Sequence, residues 1–260
     1  MTTRTGFTEG EVCWTDLQTS DVAAAKNFYA AVFGWRYEDL PTPEGRSYAQ
    51  AFLGEDLVTV IAPQNPQQTA AKAPGQWNVY FASADAGGLA GTVADAGGTL
   101  EFGPEAVAGT GVMVFFAPPG GGTTGAWQAG SHFGSARSGE PGSLAWTELL
   151  TPEPQAAVGF FQQLFGHDVT EYPQDDGGKY STLVVDGTEV AGIAAVPGQA
   201  ADTLKPGWQV YFGVSSVADA VAAAVAAGGT VLIEPDEDEE AGTIATLEDP
   251  QGGVFSVIEA

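Results

Sequence analysis

Two tripeptides carry the residues best placed for chemistry. Trp14-Thr15-Asp16 and Trp146-Thr147-Glu148 each put a carboxylate two positions after an indole, within runs that read as strands, Val12 to Leu17 in the first case. Side chains two apart on a strand share a face, so each acid stands beside an aromatic wall. Desolvation in such a place raises a carboxylate's pKa toward the range that a general base uses. Two plainer readings stand beside this one. The acids also suit helix caps or ion pairs, and the indoles also suit core filling.

The tripeptides are copies of one another. Phe28-Tyr29 and Phe33-Gly34 return as Phe160-Phe161 and Phe165-Gly166 at the same offset of 132 (146 − 14, 165 − 33), and Trp77-Asn78-Val79-Tyr80-Phe81 returns as Trp208-Gln209-Val210-Tyr211-Phe212 at 131 (208 − 77). The chain of 260 residues is therefore a duplication, expected as an N-terminal domain over 1–130, a linker over 131–142 rich in Ser and Gly, and a C-terminal domain over 143–260. Each repeat is long enough for a core of its own.

The elements that position the acids follow from periodicity and punctuation. Thr19 is a plausible N-cap for a helix carrying Val22, Ala25, Phe28, Tyr29 and Val32; in the second copy Thr151 caps and Pro152 takes the first helical position. Gly34 and Gly166 close these helices. Strands are predicted over Arg36 to Asp39, Tyr48 to Leu53 and Leu57 to Ala62. After Pro74-Gly75 the order restarts with a strand over Asn78 to Ala82, a helix about Ala86 to Ala96, and strands near Thr99, Gly111 to Phe116 and Gly122 to Gln128. Four βαβββ modules result, near 11–63, 76–129, 143–197 and 207–259. The fold class is α+β, with sheets that bury one face under helices and curve the other around something.

Composition narrows the partners. A formal charge of −25, from 33 acidic against 8 basic residues, repels nucleic acid and anionic membrane surfaces. The acidic run Glu234 to Glu240 reads as a solvated loop. The lone Cys13 has no partner for an internal disulfide and gives no thiol metal site. The start lacks an apolar signal core, and no apolar run reaches about 18 residues, so the expected location is the cytoplasm and the expected state a monomer or homodimer.

The βαβββ repeat, a helix ending Phe-Tyr-x-x-x-Phe-Gly-Trp and a final hairpin Asp249-Pro250-Gln251-Gly252 together resemble the vicinal oxygen chelate superfamily of glyoxalases, bleomycin-resistance proteins and extradiol dioxygenases, more narrowly the two-domain glyoxalase-like proteins of actinobacteria. The resemblance spans about Gly10 to Glu259. It implies paired modules forming U-shaped sheets whose concave face, in metal-dependent members, holds a divalent ion by His, Gln or Glu. The implied ligand positions carry Trp14, Asn78 and Gly125 in the first half and Trp146, Gln209 and Ser256 in the second. None is His, indole has no lone pair for a metal, and a mixed site around Asp16 or Glu148 falls short of the donor count that Zn²⁺ or Fe²⁺ requires. No metal and no cofactor is expected. His132, in the linker, and His167, just past a helix, are expected to be structural or surface residues.

With the mapped positions, strand alternation names the cavity face: Trp14, Asp16, Asn78, Tyr80, Thr123, Gly125 and Trp127 in the first half, and Trp146, Glu148, Gln209, Tyr211, Val254 and Ser256 in the second. Trp77 and Trp208 take the opposite parity, under the helices. Aromatic walls with one acid and one amide suit a flat, partly polar organic molecule. The resulting expectation is a metal-free protein that sequesters an aromatic or drug-like metabolite, as bleomycin-resistance proteins do. Its rival is a cofactor-independent isomerase, hydratase or lyase using Asp16 or Glu148 as base and Tyr80 or Tyr211 as proton donor. A third possibility gives a working site to one half alone.

Overall fold

The computed structural model describes residues 4–41, 47–107, 109–174, 177–198, 203–238 and 242–260. The chain forms two eight-stranded mixed sheets. The first contains β1 (Val12–Thr19), β2 (Arg36–Pro41), β3 (Ser47–Leu53), β4 (Asp56–Pro63), β5 (Gln76–Ala82), β6 (Thr99–Val107), β7 (Gly111–Ala117) and β8 (Thr124–Ala129). The second contains β9 (Leu144–Leu150), β10 (Asp168–Pro173), β11 (Lys179–Val185), β12 (Thr188–Ala194), β13 (Gly207–Val214), β14 (Thr230–Asp238), β15 (Gly242–Glu248) and β16 (Val254–Glu259). Their orders, β2-β3-β4-β1-β5-β8-β7-β6 and β10-β11-β12-β9-β13-β16-β15-β14, are the same order repeated. In each sheet two antiparallel central strands, β1 with β5 or β9 with β13, carry the tripeptides and their partners.

The helices are α1 (Val22–Phe33), α2 (Pro66–Ala71), α3 (Ala86–Thr92), α4 (Pro154–Phe165) and α5 (Val217–Ala226). Gly34 and Gly166 end α1 and α4 in the left-handed conformation, at φ 72° and 74°. The start signals fall later than the sequence suggests. β1 runs on to Thr19, which pairs with Pro63, so Asp21 caps α1 by accepting the Ala24 N–H at 3.0 Å. In the second copy Pro154, not Pro152, opens α4; Glu153 makes no side-chain cap bond, and the Thr151 hydroxyl accepts the Glu153 N–H at 3.2 Å instead. α3 stops at Thr92, short of Ala96, since a segment reading AGGLAGT has low helix propensity. The acidic run is not a loop as far as Asp238: β14 extends that far against β15. Glu239 and Glu240 lie outside the described residues.

The halves do not keep separate cores. One cluster of buried apolar side chains is continuous from Leu17 to Val257, because α1, α3, α4 and α5 lie between the two sheets and α1 packs on α5. The contacts are reciprocal, as a duplicated chain folded about a pseudo-twofold requires. The Phe28 ring lies over Gly229, where an added Cβ would meet Cε2 at 2.8 Å, and the equivalent Phe160 ring lies over Gly98. Trp77 and Trp208 point into this core, as their parity predicts. Hydrogen bonds cross the same seam: Tyr29 Oη donates to Asp249 at 2.9 Å and Trp208 Nε1 to Thr124 Oγ1 at 2.8 Å. His167 is buried between the carbonyls of Gly10 and Phe161, at 2.8 and 3.2 Å, which makes it structural.

The Ser- and Gly-rich segment after β8 is an ordered strap along the first sheet. Ser135 and Ala136 donate their N–H groups to Cys13 and Leu57, each at 2.8 Å, and Arg137 pairs with Asp56 at 2.7 Å. Among the described residues no helix is long and apolar enough to cross a membrane.

Candidate functional site

Three cross-strand rungs line the face of the first sheet turned away from the shared core. β1 and β5 pair Trp14 with Tyr80, Asp16 with Asn78 and Gln18 with Gln76. Directly opposed residues share a face, so the rungs run in order from aromatic to ionic to amide. The Asp16 carboxylate accepts from Asn78 Nδ2 and from Tyr80 Oη, both at 2.6 Å. It keeps some contact with solvent while the sheet surrounds it. Burial pushes its pKa above the usual carboxylate range, partly offset by the bonds from Tyr80 and Asn78. The Tyr80 ring lies flat over Gly125 on β8, its parallel neighbour; a Cβ there would sit 2.7 Å from Cε1 and 2.8 Å from Cγ.

Trp127 joins this wall and donates from Nε1 to the His132 carbonyl at 2.8 Å. The His132 ring packs edge-on against Trp14, with centroids 4.4 Å apart and planes at 82°. The residue is therefore part of the site's wall, and its place in the linker hid that from the sequence. Burial pulls its pKa down to about 4, so it is neutral at pH 7. Thr123, predicted on this face, falls one residue ahead of β8.

Register carries the face outward to both wings. Val60 is level with Asp16, Gln50 with Val60, and Tyr48 is two residues from Gln50 and paired with Leu40. On the other side Phe115 pairs with Gly125, and Phe102 with Phe115. Leu40, Tyr48 and Phe102 are 48, 40 and 49% exposed. Apolar side chains thus stand open on opposite sides of a partly buried acid. Two hollows elsewhere, about 350 Å³ beside the Lys26–Asp39 ion pair and about 160 Å³ between Arg4 and the edge of Trp146, converge on no comparable set.

The second sheet repeats two rungs, Trp146 with Tyr211 and Glu148 with Gln209, and replaces the third by Leu150 with Gly207. Tyr211 Oη donates to Glu148 at 2.5 Å. Ser256, level with Tyr211, is bonded to Thr246 at 2.9 Å. A residue that the sequence reading missed dominates here: Tyr180 on β11 receives the Trp146 Nε1 hydrogen bond at 2.8 Å and also bonds Glu148. It reaches them by lying over Gly192, where a Cβ would be 2.6 Å from Cζ. The signal was available, since Tyr48 and Tyr180 sit at the repeat offset. Burial raises the pKa of Glu148 too, against its bonds from Tyr211 and Tyr180. Beside it, Leu204 packs with Leu150, Ala194, Tyr180 and Ile233. Both acids are strand residues bonded to phenols, and no ion pair among the described residues includes either.

The donor set does not fit a divalent ion. Among the described residues no three His, Cys, Asp or Glu converge, and the positions implied by the superfamily carry indole, amide, glycine and hydroxyl groups. In the first half the Tyr80 ring fills the space over Gly125.

Comparison with known proteins gives a consistent picture. Residues 12–123 match the Glyoxalase/Bleomycin resistance protein/Dioxygenase superfamily, and residues 146–258 match a glyoxalase-like domain. The chain is 36% identical over 264 residues to the putative glyoxylase CFP32 of Mycobacterium tuberculosis, covering 100% of this chain and 98% of that one. It is 35% identical over 273 residues to the anthracycline biosynthesis protein DnrV of Streptomyces peucetius, covering 98% and 95%. Among solved structures, the Mn(II)-bound glyoxalase of Novosphingobium aromaticivorans superposes with a TM-score of 0.67 at 18% identity, over 96% of this chain and 82% of that one. The 2,3-dioxygenase LapB of a Pseudomonas superposes with a TM-score of 0.66 at 15% identity, over 97% and 94%.

Proposed function

The chain belongs to the glyoxalase/bleomycin resistance/dioxygenase superfamily, and from that premise we propose that it is a metal-independent binding protein for a planar aromatic metabolite. The observation that carries this reading is the face of the first sheet that bears Asp16. Trp14, Tyr80 and Trp127 pack as a buried cluster beneath the partly exposed Asp16, and half-exposed Leu40, Tyr48 and Phe102 stand to either side. The exposed Leu40, Tyr48 and Phe102 supply contact area, while the few polar groups orient what lies on them. Covering each half-exposed apolar side chain returns about 1 kcal/mol. Two relatives carry names in anthracycline biosynthesis, and anthracyclines are planar polycyclic aromatics, which supports the ligand class without naming the ligand.

Isothermal titration against a panel of planar phenols and quinones tests the proposal. Micromolar binding that weakens at least tenfold in Trp14→Ala is expected; a panel with no binder would overturn it.

A second reading is favoured by one specific feature, the pairing of a carboxylate of raised pKa with a phenol at 2.6 Å. In that reading Asp16 takes a proton from a bound substrate without a cofactor, the bond to Tyr80 rearranging as it does so. Turnover of a bound compound that disappears in Asp16→Asn, with binding kept, would support it. Unchanged turnover would end it.

A further inference from the structure

The parallel pairing in each sheet begins at its acid, Asp16 with Val60 and Glu148 with Gly192. Ahead of that point in the first sheet, a third segment joins the two strands. The strap donates the Ser135 N–H to the Cys13 carbonyl on β1 and the Ala136 N–H to the Leu57 carbonyl on β4, both at 2.8 Å, and Arg137 pairs with Asp56. Gly134 lies so close to the Cys13 carbonyl that a Cβ there would overlap it. The strap thus fits by main-chain bonds, small residues and one basic side chain. The repeat offset of 132 carries Cys13, Leu57 and Asp56 to Ala145, Glu189 and Thr188 (145 − 13, 189 − 57, 188 − 56). All three line the hollow of about 160 Å³, and among the described residues no segment outside the strands donates to the Ala145 or Glu189 carbonyl. Thr147 lines the same hollow. Its first-half equivalent Thr15 meets Thr59 at 3.4 Å, but Ala191 stands where Thr59 would be, and the buried Thr147 hydroxyl has no partner.

We propose that the gap between β9 and β12 receives an extended segment of another protein, two small residues followed by a basic one, whose main-chain N–H groups bond the carbonyls of Ala145 and Glu189 as the strap bonds those of Cys13 and Leu57. Strand addition of this kind draws affinity from main-chain bonds and specificity from the side chains beside them. Volume sets the small residues, since the hollow falls below the roughly 300 Å³ at which pockets for drug-sized molecules begin. Charge sets the basic one. Glu11 and Glu189 line the hollow, and its one lining cation, Arg4, is paired with Glu11 at 2.9 Å, which leaves the Glu189 charge in excess. A chain of net charge −25 also attracts a cationic partner. The site lies on the other sheet from Asp16 and does not depend on the aromatic-binding reading.

The test uses the full chain, labelled with ¹⁵N at tryptophan, and the probe acetyl-Gly-Ser-Ala-Arg-amide, which is the strap's own sequence over 134–137. A saturable shift of the Trp146 indole N–H is expected, because Trp146 lines the hollow, with Trp14 and Trp127 unmoved. A probe carrying N-methylalanine lacks the second donor and should bind about tenfold more weakly. Thr188→Asp copies Asp56 into the second half. It should tighten the arginine probe about threefold while a glutamine-ended probe stays within about twofold, a gain that loss of folding cannot produce. No shift at millimolar peptide, equal binding of the N-methyl probe, or no gain in Thr188→Asp would overturn the proposal. Shifts at Trp14 and Trp127 would do so too, since the probe would then be displacing the strap. Sedimentation decides the other occupant: a dimer of the free chain that Thr188→Trp dissociates would give the gap to a second copy and overturn the assignment.

Discussion

A methyl group added at Gly125 should break the site from within. The new Cβ would overlap Tyr80 Cδ1 and stand 2.7 Å from Cε1, well inside ordinary van der Waals contact. The ring has little room to yield: it is 4% exposed, packs against Phe115 with centroids 5.2 Å apart, and is tied to Asp16 at 2.6 Å. Overpacking of this kind costs about 1–3 kcal/mol. Displacing the ring also loses a hydrogen bond to a carboxylate, about 1.5–3 kcal/mol. Gly125→Ala should therefore destabilise the fold by about 3–5 kcal/mol, roughly 10 °C or more in Tm for a chain of this size. The shared core argues that unfolding is a single cooperative transition, so urea denaturation followed by near-UV circular dichroism reads the cost. The decisive comparison is a double-mutant cycle. In a Tyr80→Ala background the clash partner is gone, and Gly125→Ala should then cost under about 0.5 kcal/mol, a coupling of about 3 kcal/mol. A full cost that persists in the double variant would show that the glycine is required for backbone reasons and that the Tyr80–Gly125 packing is not what shapes the site.

Further outcomes can be checked with the same unfolding measurement. Asp249 accepts from Tyr29 Oη, from Gln251 N–H and from Gly253 N–H, so Asp249→Ala should cost about 3 kcal/mol or more by stranding buried donors at the seam between the halves; a change below about 0.5 kcal/mol would contradict the seam's role. The acid's pKa at Asp16 is raised in the fold, so the folded chain holds that proton longer than the unfolded one, and stability falls as pH rises from the ordinary carboxylate range through the raised value. Asp16→Asn should flatten that part of the profile; an unchanged slope would refute the burial argument. His132 acts with the opposite sense: its pKa falls from 6.5 to about 4, so stability is lost as pH drops across that interval, by on the order of 3 kcal/mol. His132→Phe should remove this loss, and a profile identical to the parent's would place the ring outside the Trp14–Trp127 wall.

Most of the architecture was legible because duplication doubles every local signal. The repeated strand–helix–strand order, the closing Gly34 and Gly166 and the parity of Trp77 and Trp208 each appear twice, and chance agreement at both copies is small. The helix starts were less legible: Thr19 and Thr151 look like caps, but the sheet keeps them as strand ends through pairing that only the tertiary structure reveals. The carboxylates and their phenols at Tyr80 and Tyr211 were readable from alternation. Tyr180 stood at the repeat offset from Tyr48, but its reach to Trp146 depends on a glycine on another strand, which the sequence alone does not place; nor was the role of His132 readable, which a strap folds back from the end of the first half. The differing third rung, Gln18–Gln76 against Leu150–Gly207, was present in the sequence but acquired meaning only once the register joined the two strands.

The central claim is that an aromatic ligand binds on the sheet face that lies over Trp14 and Trp127, and the indole N–H signals of the six tryptophans test it most directly. Titrating emodin into protein with ¹⁵N-labelled tryptophan should move the signals of Trp14 and Trp127, while Trp35, Trp77 and Trp208, buried in the core between the sheets, stay in place. Trp146, held by Tyr180, should stay as well. Saturable shifts confined to Trp146, or an unshifted spectrum at millimolar emodin, would contradict the account.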